Sequence, residues 1–256
     1  MAGSRLAVQR EKVGDTGRVR IALALLAILL LLPAAASAQD ADVAVANGAA
    51  PLPKPPPIVT TADPAYSPTK ESTYTARLVT RAAVHRVAGG QAVTAHLLPW
   101  IPSTGAPVVL QVLARRTDAK GAGWLQVLLP TRPNGSSGWI REDTALVSRN
   151  PMRITISLSR HLLTVYRAGR PIRRAGVALG APATPTPKGH FAVYLKVRES
   201  DLSPLGPWAL HLTAHSNVLF EYAGGPGRVA IHGARGALWA EAGTNPSHGC
   251  IRVPDP

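Results

Sequence analysis

Proline and glycine interrupt this chain so often that no long helix can run through it: there are 24 prolines and 23 glycines in 256 residues. Proline removes a backbone donor and clashes with the preceding helical turn, while glycine carries the largest entropic cost inside a regular element. A bundle of long helices is therefore excluded, and what remains between the interruptions is short enough to be strands joined by turns. These segments also alternate. Ile154, Ile156 and Leu158 stand between Thr155, Ser157 and Ser159, which puts the apolar set on one face of a strand. Ser159-Arg160-His161 turns the chain, Leu163 and Val165 resume the alternation, and Ala168-Gly169-Arg170 makes a second turn. Strands through residues 172–179 and 191–197 flank a stiff loop, ATPTPKG, at 183–189. Consecutive hairpins without helical periodicity predict an antiparallel, mostly β fold.

The same pattern holds upstream. Between about residues 74 and 149 the runs PVVLQVLARR, GWLQVLLP and GWIRE read as short strands. The turn cluster Pro133-Asn134-Gly135-Ser136-Ser137-Gly138 predicts a hairpin between residues 124–129 and 139–141. With 46% hydrophobic and 16% charged residues, the chain has ample material for a core, in one medium domain or two small ones. The expected division is 74–149 and 151–256.

The first 38 residues read as a leader. Five basic residues (Arg5, Arg10, Lys12, Arg18, Arg20) precede an apolar run, IALALLAILLLL, at 21–32, and Ala36-Ser37-Ala38 supplies a small-residue cleavage signal. Twelve apolar residues are short of the ~20 needed to span a bilayer. Export to the cell wall, periplasm or exterior is the expectation, with an uncleaved anchor as the alternative. Residues 39–73 are Ala-, Pro- and Thr-rich, with PLPKPPP at 51–57, and read as a tether. Removing the leader's five basic and two acidic residues lowers the net charge from +14 to +11. No basic run with interleaved aromatics suggests nucleic acid, so an anionic wall or membrane surface is the expected kind of partner, beside the plain alternative of a basic surface that aids solubility.

One cysteine excludes an internal disulfide and any multi-cysteine metal site. In an oxidising compartment a lone thiol is a liability unless buried or used. Cys250 stands in Ser247-His248-Gly249-Cys250-Ile251-Arg252, where Gly249 lets backbone N–H groups approach a ligand and where imidazole and guanidinium groups lie close in sequence. Positive neighbours lower a thiol's pKa, which is the environment of a nucleophile. Eighteen residues earlier, the strand-like Val229–Ile231 delivers His232, followed by Gly233. The duller readings are a buried small side chain at Cys250, a structural ion pair at Arg252, and packing roles for Trp208 and Trp239. His161, His190, His211 and His215 have no motif around them. A zinc site of Cys250, His248 and His232 lacks an acid at ligand spacing, so no metal and no cofactor is expected.

Two family resemblances follow. GAGWLQVLLPTRPNGSSGWIREDTALV resembles bacterial SH3-like domains, which implies a small barrel with an auxiliary, wall-binding or spacer role. The segment around Cys250 resembles the YkuD-type L,D-transpeptidases, whose signature is His-Gly, a spacer, then (Ser/Thr)-x-Gly-Cys-(Ile/Val)-Arg. Ser247, Gly249, Cys250, Ile251, Arg252 and His232 match it, and Thr186-Pro187-Lys188-Gly189 looks like the family's Thr-Pro-x-Gly loop. The implied fold is an SH3-like barrel followed by a β-sandwich-like catalytic domain. Family domains usually run some way past the cysteine loop, so a truncated final portion is expected here.

What the resemblance implies chemically is peptidoglycan cross-linking, in service of wall organisation and cell shape. Cys250 would attack an L,D-peptide bond in a tetrapeptide stem and release D-Ala, and His232 would act as base. The Gly233 carbonyl would orient the imidazole. The N–H groups of Gly249 and Cys250 would face the oxyanion, while Arg252, Ser247 and His248 would support substrate or loop. Donor and acceptor stems are the implied partners. The acceptor (amine, water or a protein lysine), the wall chemistry and the oligomeric state stay open. The rival from another class is a non-catalytic wall-binding protein. A papain-like hydrolase is excluded because no His follows Cys250, and a sortase is disfavoured because its cysteine follows a Thr-Leu-x-Thr strand.

Overall fold

A computed structural model describes residues 43–45, 61–200, 203–234 and 241–255. The leader, most of the tether and Trp239 lie outside the described residues. Sixteen strands are described: β1 (Val43–Val45), β2 (Thr61–Asp63), β3 (Thr73–Leu78), β4 (Ala82–His85), β5 (Val93–Leu97), β6 (Val109–Thr117), β7 (Gly123–Leu128), β8 (Ser137–Arg141), β9 (Ala145–Asn150), β10 (Met152–Ser157), β11 (Leu162–Arg167), β12 (Arg170–Gly176), β13 (Val193–Arg198), β14 (Trp208–His215), β15 (Arg228–His232) and β16 (Ile251–Arg252). The fold is mostly β.

β1 to β9 form one sheet in the order β1-β5-β4-β8-β7-β6-β3-β9, with β2 also paired to β6. The expected hairpin is β7–β8, with Trp124 opposite Arg141 and Leu128 opposite Ser137. Leu78, Val84, Leu110, Val112, Leu125, Val127 and Ile140 close its core. The structure differs from the expected tether at its downstream end. Thr61–Asp63 pairs with Arg115–Thr117, and Tyr66 stacks on Tyr74 at 4.5 Å, so ordered structure starts well before residue 74.

Only Pro151 separates β9 from β10, where the expected division falls. β10-β11-β12 is a three-stranded antiparallel sheet and β13-β14-β15-β16 a four-stranded one. Ala168 and Gly169 both have positive φ, +48° and +78°, which lets a two-residue turn follow the strand twist between β11 and β12. Ile154, Ile156, Leu158, Leu163 and Val165 meet Leu212, Val229, Ile231 and Ile251 in one apolar cluster, so the two sheets pack on each other. β13 also faces the first sheet. Leu195 is buried in that sheet's core, with Tyr194 and Val197 packed beside it. The two sheet systems thus share a core rather than hang from a linker.

Candidate active site

β15 is a strand because Val229, Ala230 and Ile231 are all buried between neighbours, and it ends by delivering His232, only 6% exposed. β16 pairs with it in parallel, Ile231 opposite Ile251 and His232 opposite Arg252. That register places Cys250 beside Ala230, whose N–H donates to Cys250 Sγ at 3.4 Å. The thiol therefore lies against β15 two residues before the imidazole. The parallel pairing unites residues eighteen apart in sequence.

The imidazole has a fixed tautomer. His232 Nδ1 lies 2.5 Å from the Gly233 carbonyl oxygen, and a carbonyl only accepts, so Nδ1 carries the hydrogen and Nε2 keeps its lone pair. A Cβ at Gly233 would displace the Asp255 carboxylate and crowd the Gly206 backbone. Burial holds the His232 pKa below the ordinary histidine value. The Gly233 hydrogen bond opposes this, Arg252 adds to it, and Glu199 and Asp255 oppose it weakly.

The thiol runs the other way. Burial raises the Cys250 pKa, and the Ala230 N–H and the Arg252 charge only partly offset it. The sequence argument that positive neighbours activate the thiol therefore names a real but smaller effect, because desolvation of the thiolate outweighs it. Arg252 is also engaged elsewhere, in an ion pair with Glu241 at 2.7 Å.

Ser247, fully buried, clamps the cysteine loop. Its Oγ donates to the Cys250 carbonyl at 2.6 Å and accepts from the Gly249 N–H at 3.1 Å. The Gly249 N–H expected to face an oxyanion is thus occupied inside the loop. Gly249 is required for another reason, a φ of +118° that L side chains rarely adopt. The loop at residues 180–189 braces the clamp from outside. Thr186 Oγ1 accepts from Gly180 N–H at 2.9 Å and donates to the Gly249 carbonyl at 3.0 Å. Ala181 N–H donates to the Ser247 carbonyl at 2.8 Å, and Ser247 N–H to that of Leu179 at 3.0 Å. A side chain at Gly180 would collide with the Thr184 carbonyl.

His248 is exposed, and its Nδ1 shares a hydrogen bond of 3.1 Å with the Tyr222 hydroxyl, the rings 4.9 Å apart. Tyr222 escaped the sequence reading, because nothing local links a loop tyrosine to a histidine 26 residues away. Of the other histidines singled out in the sequence, His161 pairs with Asn245, His190 with Gln111, His215 is buried, and His211 stands on β14 opposite Ala230. Trp208 is half-exposed beneath Lys196, whose Nζ lies 4.0 Å from the ring centroid. Among the described residues no group of three His, Cys, Asp or Glu side chains could hold a metal. A cavity of about 600 Å³ lies behind the site, reaching Ile231 and Ile251 but not lined by Cys250 or His232.

Residues 151–256 match the family model of the YkuD L,D-transpeptidase catalytic domain. L,D-transpeptidase 1 of Mycobacterium tuberculosis (strain ATCC 25618 / H37Rv) is 34% identical over 104 residues, which are 38% of this chain and 40% of that protein. The same protein from strain CDC 1551 / Oshkosh matches to the same extent. The chain therefore spans about two fifths of the length of these curated relatives. Among solved structures, an L,D-transpeptidase from Mycobacterium smegmatis is 16% identical, with a TM-score of 0.31 over 52% of this chain and 81% of that one. L,D-transpeptidase 3 from M. tuberculosis, in complex with a faropenem-derived adduct, is 17% identical, with a TM-score of 0.32 over 52% and 83%. Those scores are too low to bear on the chemistry of the site.

Proposed function

We propose that this chain is an exported cysteine L,D-transpeptidase that cross-links peptidoglycan stems. The observation that carries the reading is the β15–β16 pairing, with Cys250 Sγ against the Ala230 N–H two residues before a tautomer-fixed His232. The match of residues 151–256 to the transpeptidase domain supports it. Cys250 Sγ attacks the carbonyl on the L-side of an L,D-peptide bond in a tetrapeptide donor as His232 Nε2 takes the thiol proton. The tetrahedral oxyanion is stabilised by the Cys250 backbone N–H, since that of Gly249 is held by Ser247. Collapse breaks the peptide bond, His232 returns the proton to the departing D-Ala amine, and a thioester remains on Cys250. The amine of a second stem then attacks the thioester, giving the cross-link and freeing the thiol.

The N-terminal sheet, with its Trp124 and Trp139 hairpin, we read as an SH3-like module that holds the wall polymer near the site. The deciding experiment incubates the chain, from Gln39 onward, with a purified disaccharide-tetrapeptide and weighs the products by mass spectrometry. The expected product is a dimer lacking one D-Ala, formed by the unmodified chain and absent with Cys250→Ala. His232→Ala should lower the rate roughly 10²- to 10⁴-fold. Retention on peptidoglycan with no Cys250-dependent product would favour a wall-binding protein instead.

A further inference from the structure

The turn between β7 and β8 reaches across to the loop at residues 215–227, the loop that presents Tyr222 to His248. Arg132 donates through Nη1 to the Ser216 carbonyl at 2.7 Å, and through Nη2 to the carbonyls of Leu219 at 2.9 Å and Pro226 at 3.1 Å. One guanidinium therefore ties the start, the middle and the end of the loop. It holds only main-chain oxygens, so it fixes the loop's path rather than any side chain. Phe220 covers it, with the guanidinium carbon 4.6 Å from the ring centroid. Gly227 keeps φ at +65° and leaves room: a Cβ there would collide with the Leu219 carbonyl and stand 3.2 Å from Arg132 Nη2.

Asn134 adds a second grip. Its side-chain amide donates to the His215 carbonyl at 2.8 Å and accepts from the His215 N–H at 2.8 Å, imitating a strand partner at the end of β14. It also donates to Asn217 Oδ1 at 3.2 Å. Within the loop, Ser216 N–H donates to the Gly227 carbonyl at 2.8 Å and Ser216 Oγ accepts from Leu219 N–H at 3.0 Å. Tyr222 sits at the far turn, where it exchanges backbone hydrogen bonds with Gly225. The loop is a closed ring gripped at its base by one sheet system while its tip touches the cysteine loop of the other.

We propose that Arg132 and Asn134 are positioning residues for the Cys250 site, acting through the 215–227 loop to hold Tyr222 against His248. This rests on the transpeptidase reading for its effect on turnover, but the mechanical link is independent of it. The N-terminal sheet is then a working part of the cleft as well as a neighbour of it. Arginine suits the position because its planar fork spreads donors toward carbonyls at separate points of the loop, whereas an ammonium gathers its three donors at one atom.

The test uses the full chain with Arg132→Ala, Arg132→Lys, Asn134→Ala, Tyr222→Phe and the double variant Arg132→Ala/Tyr222→Phe. Hydrogen exchange of residues 215–227 is read beside that of β15, which reports global folding. The His248 ring is followed by NMR, Cys250 by iodoacetamide alkylation, and turnover by the dimer assay. Arg132→Ala is expected to speed exchange in 215–227 with β15 still protected, to move the His248 signals, and to cut turnover roughly 2- to 30-fold, with alkylation changed less than turnover. Arg132→Lys should fail to rescue, and the double variant should lose no more than the worse single one. Unchanged loop exchange, a loosened loop with unmoved His248 signals, or additive losses would overturn the proposal. Should the unmodified chain show no turnover, the transpeptidase reading fails, and exchange with the His248 signals alone decides the positioning.

Discussion

At Cys250 and His232 both pKa shifts point away from a resting ion pair: burial raises the thiol and lowers the imidazole. On the proposed transpeptidase reading the ground state is a neutral thiol and a neutral imidazole, and the proton moves as the bond forms. Alkylation of Cys250 by iodoacetamide should therefore keep rising past pH 9 without a plateau near neutrality, and Arg252→Gln should move the curve still higher. A plateau below pH 8 would show a preformed thiolate and sink the argument. If His232 is the base of the proposed transpeptidase reaction, the activity profile should carry the opposite sign on its acid side: the lowered pKa keeps the imidazole neutral below pH 6.5 and sets the acid limb under the ordinary histidine value. Ser247 holds the loop that carries the thiol, through two hydrogen bonds in a fully buried position. Replacing it by Ala leaves the Gly249 N–H unpaired, so urea unfolding should show a loss of about 1–3 kcal/mol. A Ser247→Ala protein as stable as the parent would mean that the clamp is redundant.

The elements from β10 to β16 divide sharply by how far their partners lie in sequence. β10, β11 and β12 pair with their immediate neighbours, so alternation and turn residues were enough to read them from Ile154, Ile156, Leu163 and Val165. The β7–β8 hairpin was legible for the same reason, since its turn residues lie between its strands. The β15–β16 contact was not. It is two residues long, parallel, and spans a connection that leaves no periodic signal. Cys250 and His232 were found through a motif, and only the fold shows Cys250 against β15, two residues before His232. The brace at Gly180 and Thr186 is likewise a contact between distant loops, which pattern cannot reveal. Thr186→Val keeps the shape of the side chain but removes the acceptor for Gly180 N–H and the donor to the Gly249 carbonyl. We expect a loss of about 1–3 kcal/mol by chemical denaturation and a faster exchange of the cysteine loop, with β10–β12 unaffected. Equal loosening of all strands would argue against a local brace.

For the molecule as a whole, the seam between the sheet systems carries its own acid sensitivity. His215 lies in that seam, its main chain gripped by Asn134, and its pKa is lowered to about 4, first by burial and then by Arg228 and Arg132. The unfolded chain takes up a proton near pH 6.5, whereas the folded one resists until about pH 4. Stability is thus complete above pH 6.5 and declines as pH falls through that window, by roughly 3 kcal/mol at this one residue. Denaturant titrations between pH 7 and 4 should show the decline, and His215→Gln should flatten it. An unchanged slope in that variant would assign the acid sensitivity elsewhere. The seam itself was beyond the sequence, where Pro151 looked like a boundary. Among what crosses it are β13 and the side chains of Arg132 and Asn134 on a distant turn, none marked by composition.

Among the described residues β12 ends its sheet with one side unpaired by a strand, a line of backbone groups onto which a second copy could add a strand. Its arginines 170, 173 and 174 are exposed, and from Thr144 to Arg198 the chain has no acidic residue to neutralise them. Two such edges repel before they can align. That repulsion works against edge-to-edge pairing of copies, and because it is electrostatic, raising the salt until the Debye length falls to a few ångströms would take it away.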